Sequence, residues 1–107
     1  MELRQHPRVR VRFRSSFSAP QMAAGEGLVQ DLSLGGCRVE SPTPVQPGTE
    51  LELRIAVPQE MTPVAVERAV VRWARGREFG VAFLSLRPPE QDRLHDLARE
   101  LGIGPTQ

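Results

Sequence analysis

The chain has no lysine, a single cysteine and no long hydrophobic run. No apolar stretch approaches the roughly 18 residues that a membrane-spanning helix needs. The N-terminus, MELRQHPRVR, lacks the apolar segment of a signal peptide. Cys37 has no second cysteine with which to form an internal disulfide, which agrees with a reducing compartment. These absences predict a cytoplasmic protein that is not inserted into a membrane.

The common motifs of enzyme and metal sites are also missing. The sequence contains no Cys/His cluster at metal-ligand spacing, no glycine-rich phosphate loop followed by lysine and no G-x-S-x-G motif. We expect His95 on the surface of a helix, together with Asp92 and Asp96, and Cys37 at a small core position. The sequence therefore predicts a protein that is not an enzyme and has no metal site or cofactor.

Arginine supplies all 14 basic residues, and five of them fall within the first 14 positions. With Glu2 as its only acid, that segment carries a charge of +4, whereas the rest of the chain, with 9 arginines and 12 acids, carries −3. A nucleic-acid-binding domain is usually basic throughout and offers aromatic residues for stacking, but this chain has only four phenylalanines and one tryptophan. A DNA- or RNA-binding barrel is therefore disfavoured. A local arginine cluster suits a small anion better, because guanidinium forms bidentate contacts with phosphate and guanine.

Hydrophobic periodicity predicts about six short strands followed by one helix. Strand-like segments cover residues 8–13, 28–33, 36–41, 49–57, 64–74 and 79–86, whereas residues 18–27 are expected to form a loop. The helix is predicted over 88–102, with proline at its start, Gly102 at its end and an apolar stripe made by Leu94, Leu97, Ala98 and Leu101. The pattern predicts one small antiparallel barrel or sandwich with a C-terminal helix packed on it.

Two polar clusters remain without a role in this core. RQHPR (4–8) places Arg4 and Arg8 ahead of the first strand, where Pro7 prevents a regular helix; a solvated basic tail would also explain it. DLSLGG (31–36) is also typical of a hairpin turn in which Asp31 or Ser33 bonds local backbone. Together the clusters are complementary. Arginines can hold phosphate, a carboxylate and a hydroxyl can bind a guanine edge, and glycines let a ligand approach the backbone.

This pair of clusters resembles the signature of PilZ domains, bacterial receptors for cyclic di-GMP: R-x-x-x-R, followed about 20 to 30 residues later by [D/N]-x-S-x-x-G. GTELELRIAVP is similar to the middle strand of the family, VVRWARGREFGVAFLSL to its late hairpin, and RPPEQDRLHDLARELG to its closing helix. The resemblance implies an all-β fold, a six-stranded antiparallel barrel with a C-terminal α-helix. Residues 1–107 would form a single domain, in which 1–8 are a flexible ligand-binding arm, 9–86 the barrel and 88–102 the helix.

The resemblance also assigns the cyclic di-GMP site residue by residue. Arg4 and Arg8 would contact guanine and phosphate, Asp31 and Ser33 would bind a guanine edge, and Gly35 and Gly36 would allow close approach. Arg10, Trp73 and Gly80 are additional candidates. Trp73 is expected in the core, the alternative being an exposed ring that stacks on a base. Many relatives carry a third arginine where this chain has Leu3, which favours one bound ligand molecule over a stacked pair.

The function implied is that of a receptor whose residues 1–8 become ordered on binding cyclic di-GMP and which then signals to an unidentified protein partner in motility, biofilm or pilus-type processes. The alternative is an interaction module in pilus or flagellar assembly that does not bind nucleotide. The intact motifs favour the receptor.

Overall fold

The computed structural model describes residues 7–103, which contain six strands and one helix. The elements are β1 (Val9–Ala19), β2 (Met22–Leu32), β3 (Gly36–Glu40), β4 (Glu50–Ile55), β5 (Val64–Arg75), β6 (Glu78–Ser85) and α1 (Pro88–Leu101). All strand pairs are antiparallel, and the order β1-β2-β3-β6-β5-β4 closes into a barrel because β1 pairs with both β2 and β4. The predicted six-stranded barrel with a C-terminal helix is confirmed.

The barrel is filled by inward-pointing aliphatic and aromatic side chains from every strand. Phe17 and Phe79 meet edge to face at its centre, with ring centroids 5.2 Å apart and planes at 75°. In β4, Leu51, Leu53 and Ile55 are buried and alternate with exposed charged residues, as the sequence pattern predicts. Cys37 is also buried in this core, as expected.

The predicted loop over residues 18–27 is wrong. Strand β1 continues to Ala19 and β2 begins at Met22, so these strands form one long hairpin with a short turn between them. The glycines that suggest a loop serve close packing instead. A β-carbon at Gly25 would lie 2.6 Å from the Phe17 ring, and one at Gly27 would lie 2.8 Å from Val39 Cγ1. Both positions therefore admit only hydrogen in place of a side chain.

Helix α1 packs its apolar stripe against the barrel, with its most extensive contacts to β5. Leu94, Leu97 and Ala98 are buried, and Gly102, with φ 80°, ends the helix in the left-handed conformation. His95 is exposed on the opposite face, as predicted, and a ring nitrogen lies 2.8 Å from the Gln91 carbonyl oxygen. Over residues 7–103 no helix combines the length and the apolar character needed to cross a membrane.

Candidate functional site

Five residues on five neighbouring strands are paired in one row across the outer surface of the barrel. The strand register pairs Arg10 with Asp31, Asp31 with Arg38, Arg38 with Gly80, and Gly80 with Trp73. Directly paired residues point to the same face of a sheet, and neighbouring strands lie about 4.8 Å apart. We call this set the outer row. It brings together Arg10, Asp31, Gly80 and Trp73, all of which are predicted site residues.

Asp31 reaches the outer row because of an irregularity in β2. Val29 pairs with Val39 and Asp31 with Arg38, so β2 has one residue, Gln30, that β3 does not match. Such a bulge interrupts the alternation of faces. Val29 and Leu32 remain buried in the barrel, and Gln30 and Asp31 both extend outward between them.

The side chains around Asp31 form a charged network. Arg8 donates from Nη1 to Asp31 Oδ1 at 2.6 Å, and Arg38 donates from Nε to Asp31 Oδ2 at 3.1 Å. Arg38 also donates from Nη1 to Gln30 Oε1 at 2.9 Å and to Glu78 Oε2 at 3.0 Å. The contact between Arg8 and Asp31 joins the two sequence motifs, which are 23 positions apart. Arg4 lies outside the described residues.

The neighbouring carboxylates stabilise the charged form of Arg38. Its hydrogen bond to Asp31 raises the pKa of the Arg38 guanidinium, and the neighbouring Glu78 carboxylate raises this pKa further, although partial burial opposes both effects. Arg38 is therefore a cation at every working pH. The Asp31 carboxylate lies between two cations, Arg8 and Arg38, and its side chain is only 19% exposed.

Ser33, Gly35 and Gly36 form the turn that follows β2. The Ser33 hydroxyl is buried; it accepts hydrogen bonds from the backbone N–H groups of Gly35 and Gly36, both at 3.1 Å, and donates to the Gly36 carbonyl at 3.2 Å. A β-carbon at Gly36 would collide with the carbonyl oxygen of Val81 on β6. The contacts of Ser33 and Gly36 therefore shape the turn beside Asp31, and their contact with a ligand stays a prediction.

Trp73 lies on the outer surface, so its expected place in the core is wrong. Val71 pairs with Val81 but Trp73 pairs with Gly80, so Arg72 is an extra residue in β5 that turns Trp73 outward. The indole ring covers Gly80, where a β-carbon would lie 2.6 Å from ring atom Cε2, and it remains 37% exposed.

Sequence reasoning missed Arg38, together with its partners Gln30 and Glu78. The signal available was the position of Arg38 between Cys37 and Val39, two apolar residues of a short strand, since alternation then places the arginine outside the barrel. Its contact with Asp31 could not be predicted without the register of β2 and β3.

Two other features of the described chain lie outside this network. A cleft of about 600 Å³ beside Arg14, Glu26 and Met61 contains none of the predicted ligand-binding residues. Within residues 7–103, no three His, Cys, Asp or Glu side chains are grouped so that they could hold a metal ion.

Known proteins share this architecture. A family model described as the PilZ domain matches residues 2–100. Among solved structures, the chain is similar to the Bacillus subtilis inhibitor of motility MotI/DgrA, with a TM-score of 0.73 and 22% identity over 95% of this chain and 53% of that chain. It is also similar to the PilZ domain of CeSA from a cellulose-synthesizing bacterium, with a TM-score of 0.70 and 16% identity over 90% of this chain and 98% of that one.

A third similar structure is Escherichia coli YcgR in complex with c-di-GMP, with a TM-score of 0.71 and 17% identity over 92% of this chain and 46% of that chain. At these identities the likeness shows the fold alone. The chain spans about half the length of MotI/DgrA and of YcgR. No curated protein matches the sequence.

Proposed function

Because the chain belongs to the PilZ domain family, we propose that it is a receptor for cyclic di-GMP and acts by binding rather than by catalysis. The observation that carries the proposal is the contact between the two motifs. Arg8 Nη1 lies 2.6 Å from Asp31 Oδ1 on the outer surface, so a cation suited to phosphate and a carboxylate suited to guanine are adjacent.

The proposed binding reaction exchanges the partner of Arg8. In the structure described, the guanidinium neutralises Asp31. A cyclic dinucleotide brings phosphate oxygens and the O6/N7 edge of guanine, both of which accept from guanidinium. It also brings guanine N1–H and N2–H groups, which donate to a carboxylate. Arg8 then binds the ligand, and Asp31 replaces this ion pair with bonds to the base, so neither charge is left without a partner.

Trp73 supplies a surface for stacking in the same proposal. Its indole covers Gly80 in the outer row, and the Arg75 guanidinium carbon lies 5.8 Å from the ring centroid. A half-exposed indole can stack on a purine, an interaction worth roughly 1–3 kcal/mol per base in nucleic-acid binding proteins. Asp31 and Trp73 are three strand spacings apart, or about 14 Å, which is a span suited to a ligand with two bases.

The exchange of binding partners at Arg8 also suggests how the receptor would signal to another protein. The part of the arm that carries Arg4 would become ordered when the arm closes on the ligand, and a protein partner in the cytoplasm would bind the altered surface. Leu3 in place of a third arginine favours one ligand molecule in the site.

Isothermal titration calorimetry with cyclic di-GMP tests the proposal. Arg8→Ala and Asp31→Ala each remove a charged hydrogen-bonding group, a loss of roughly 1.5–3 kcal/mol, so we expect affinity to fall about tenfold to a hundredfold. Arg68→Ala is the matched control, since Arg68 forms a comparable ion pair with Glu50 on the β4–β5 surface. It should bind as the wild type does. Absence of binding by the wild-type protein at tens of micromolar ligand would refute the receptor and leave the nucleotide-independent interaction module.

A further inference from the structure

Arg38 occupies the middle of the outer row, between the carboxylate of Asp31 on β2 and the Gly80–Trp73 pair on β6 and β5. Its side chain is 28% exposed, less than that of Arg8 at 40%. Three acceptors from two strands hold its guanidinium: Asp31 Oδ2, Gln30 Oε1 and Glu78 Oε2, at 2.9–3.1 Å. Its orientation is therefore much more restricted than that of an arginine with one partner.

The two carboxylate oxygens of Asp31 are held by different kinds of group. Oδ1 is bound by Arg8, which precedes the first strand, and Oδ2 is bound by Arg38, which lies within β3. The terminal torsion of an aspartate is broad, so the plane of an unrestrained carboxylate is poorly defined. The bond from Arg38 defines that plane. It also leaves lone pairs on both oxygens, because an ionised carboxylate has about four acceptor positions.

We propose that Arg38 is a positioning residue that orients the Asp31 carboxylate and thereby sets the preference of the site for guanine. The inference rests on the proposed function. Guanine presents N1–H and N2–H side by side, and two parallel bonds to a carboxylate require a defined carboxylate plane. Hypoxanthine has no 2-amino group and can form only the N1–H bond, so its recognition depends less on that plane. Arg38 acts through Asp31 and not by contact with the ligand.

The test compares the affinities of two ligands for each protein variant. The probes are cyclic di-GMP and the cyclic dinucleotide in which hypoxanthine replaces both guanines, measured by calorimetry. The wild type should prefer cyclic di-GMP by roughly tenfold, the value of one hydrogen bond to a charged acceptor. Arg38→Gln should reduce binding of cyclic di-GMP by about that factor while changing the hypoxanthine ligand much less, so the preference approaches unity. Arg38→Lys should restore only part of it, since an ammonium lacks the planar fork that reaches all three acceptors.

Two further variants separate positioning from other roles. In an Asp31→Ala background, Arg38→Gln should cause no additional loss of affinity, because the residue through which it acts is gone. Arg68→Gln breaks the more exposed Arg68–Glu50 pair instead, and it should leave the ligand preference unchanged. A general loss of folding would reduce binding of both ligands equally, which distinguishes it from the expected result.

Three results would overturn the inference. If Arg38→Gln keeps the wild-type preference for cyclic di-GMP, Arg38 does not orient Asp31. If the losses from Asp31→Ala and Arg38→Gln add in the double variant, Arg38 contacts the ligand itself. If the wild-type protein binds neither ligand, the proposed function fails and the inference fails with it; the first two results leave the receptor intact.

Discussion

Above pH 8.5, the change in this protein's free energy of unfolding with pH should come mainly from one side chain. Cys37 is buried in the barrel, and this burial raises the pKa of its thiol far above the ordinary value, with a further increase from the negative charge of Asp31. The chain has no lysine and no tyrosine, and arginine remains a cation throughout this range. Between pH 8.5 and 10.5, Cys37 is therefore the only side chain expected to lose a proton when the protein unfolds.

The direction of this pH dependence follows from the ionisation of the thiol in the unfolded and folded states. In the unfolded chain the thiol ionises with a pKa near 8.5, whereas in the folded barrel it keeps its proton. The unfolded state then binds fewer protons, so the free energy of unfolding falls as pH rises. The slope approaches about 1.4 kcal/mol per pH unit, which gives a loss of about 2.7 kcal/mol between pH 7 and pH 10.5.

Urea unfolding at several pH values from 7 to 10.5, with a reductant present, measures this dependence. Cys37→Ala removes the thiol and should lower stability at pH 7 by creating a small cavity, but its curve should be nearly flat above pH 8.5, so the stability difference between the two proteins should shrink as pH rises. The comparison cancels the α-amino group, which also titrates in this range. Parallel curves for the wild type and Cys37→Ala would refute the reasoning, because the thiol would then ionise equally in both states.

Three further predictions concern close packing and side-chain hydrogen bonds, and urea unfolding measures the change in stability for each of them. Gly80→Ala should displace the indole of Trp73, the only tryptophan, so its fluorescence emission should shift to longer wavelength with a loss of about 1 kcal/mol in stability. Gly36→Ala should cost roughly 1–3 kcal/mol or more, because its β-carbon meets the backbone carbonyl of Val81, which cannot move without breaking the β3–β6 pairing. Arg93→Ala should cost about 1–2 kcal/mol, since Arg93 donates to backbone carbonyls of the loop before β5 at 2.5 and 2.9 Å.

The predictions for Gly80 and Arg93 each have a direct control. Gly36→Ala should leave the emission of Trp73 unchanged, and an equal shift in both glycine variants would contradict the specific contact with Gly80. Arg99→Ala removes a more exposed helix arginine whose ion pair is with Asp96, so its effect should be close to zero. If Arg93→Ala is no more destabilising than Arg99→Ala, the carbonyl contacts contribute nothing measurable.

Hydrophobic periodicity alone predicts the position of the elements that keep one regular buried face. Strand β4 and helix α1 were predicted nearly to their ends, because each buries one regular face. The hairpin formed by β1 and β2 was not predicted. Gly25 and Gly27 look like loop residues in the sequence, and only the positions of Phe17 and Val39 across the barrel explain why strand β2 contains them.

The candidate site likewise depends partly on the sequence alone and partly on the tertiary structure. The sequence by itself determined which residues are chemically suited to a guanine nucleotide, since Arg8 and Asp31 are recognisable from their motifs. The tertiary structure decided which of them share a surface. Single extra residues at Gln30 and Arg72 reverse the face of each strand locally, and these bulges place Asp31 and Trp73 outside the barrel. A bulge depends on the register with a neighbouring strand, which is a property of two distant segments, so no pattern within one segment predicts it.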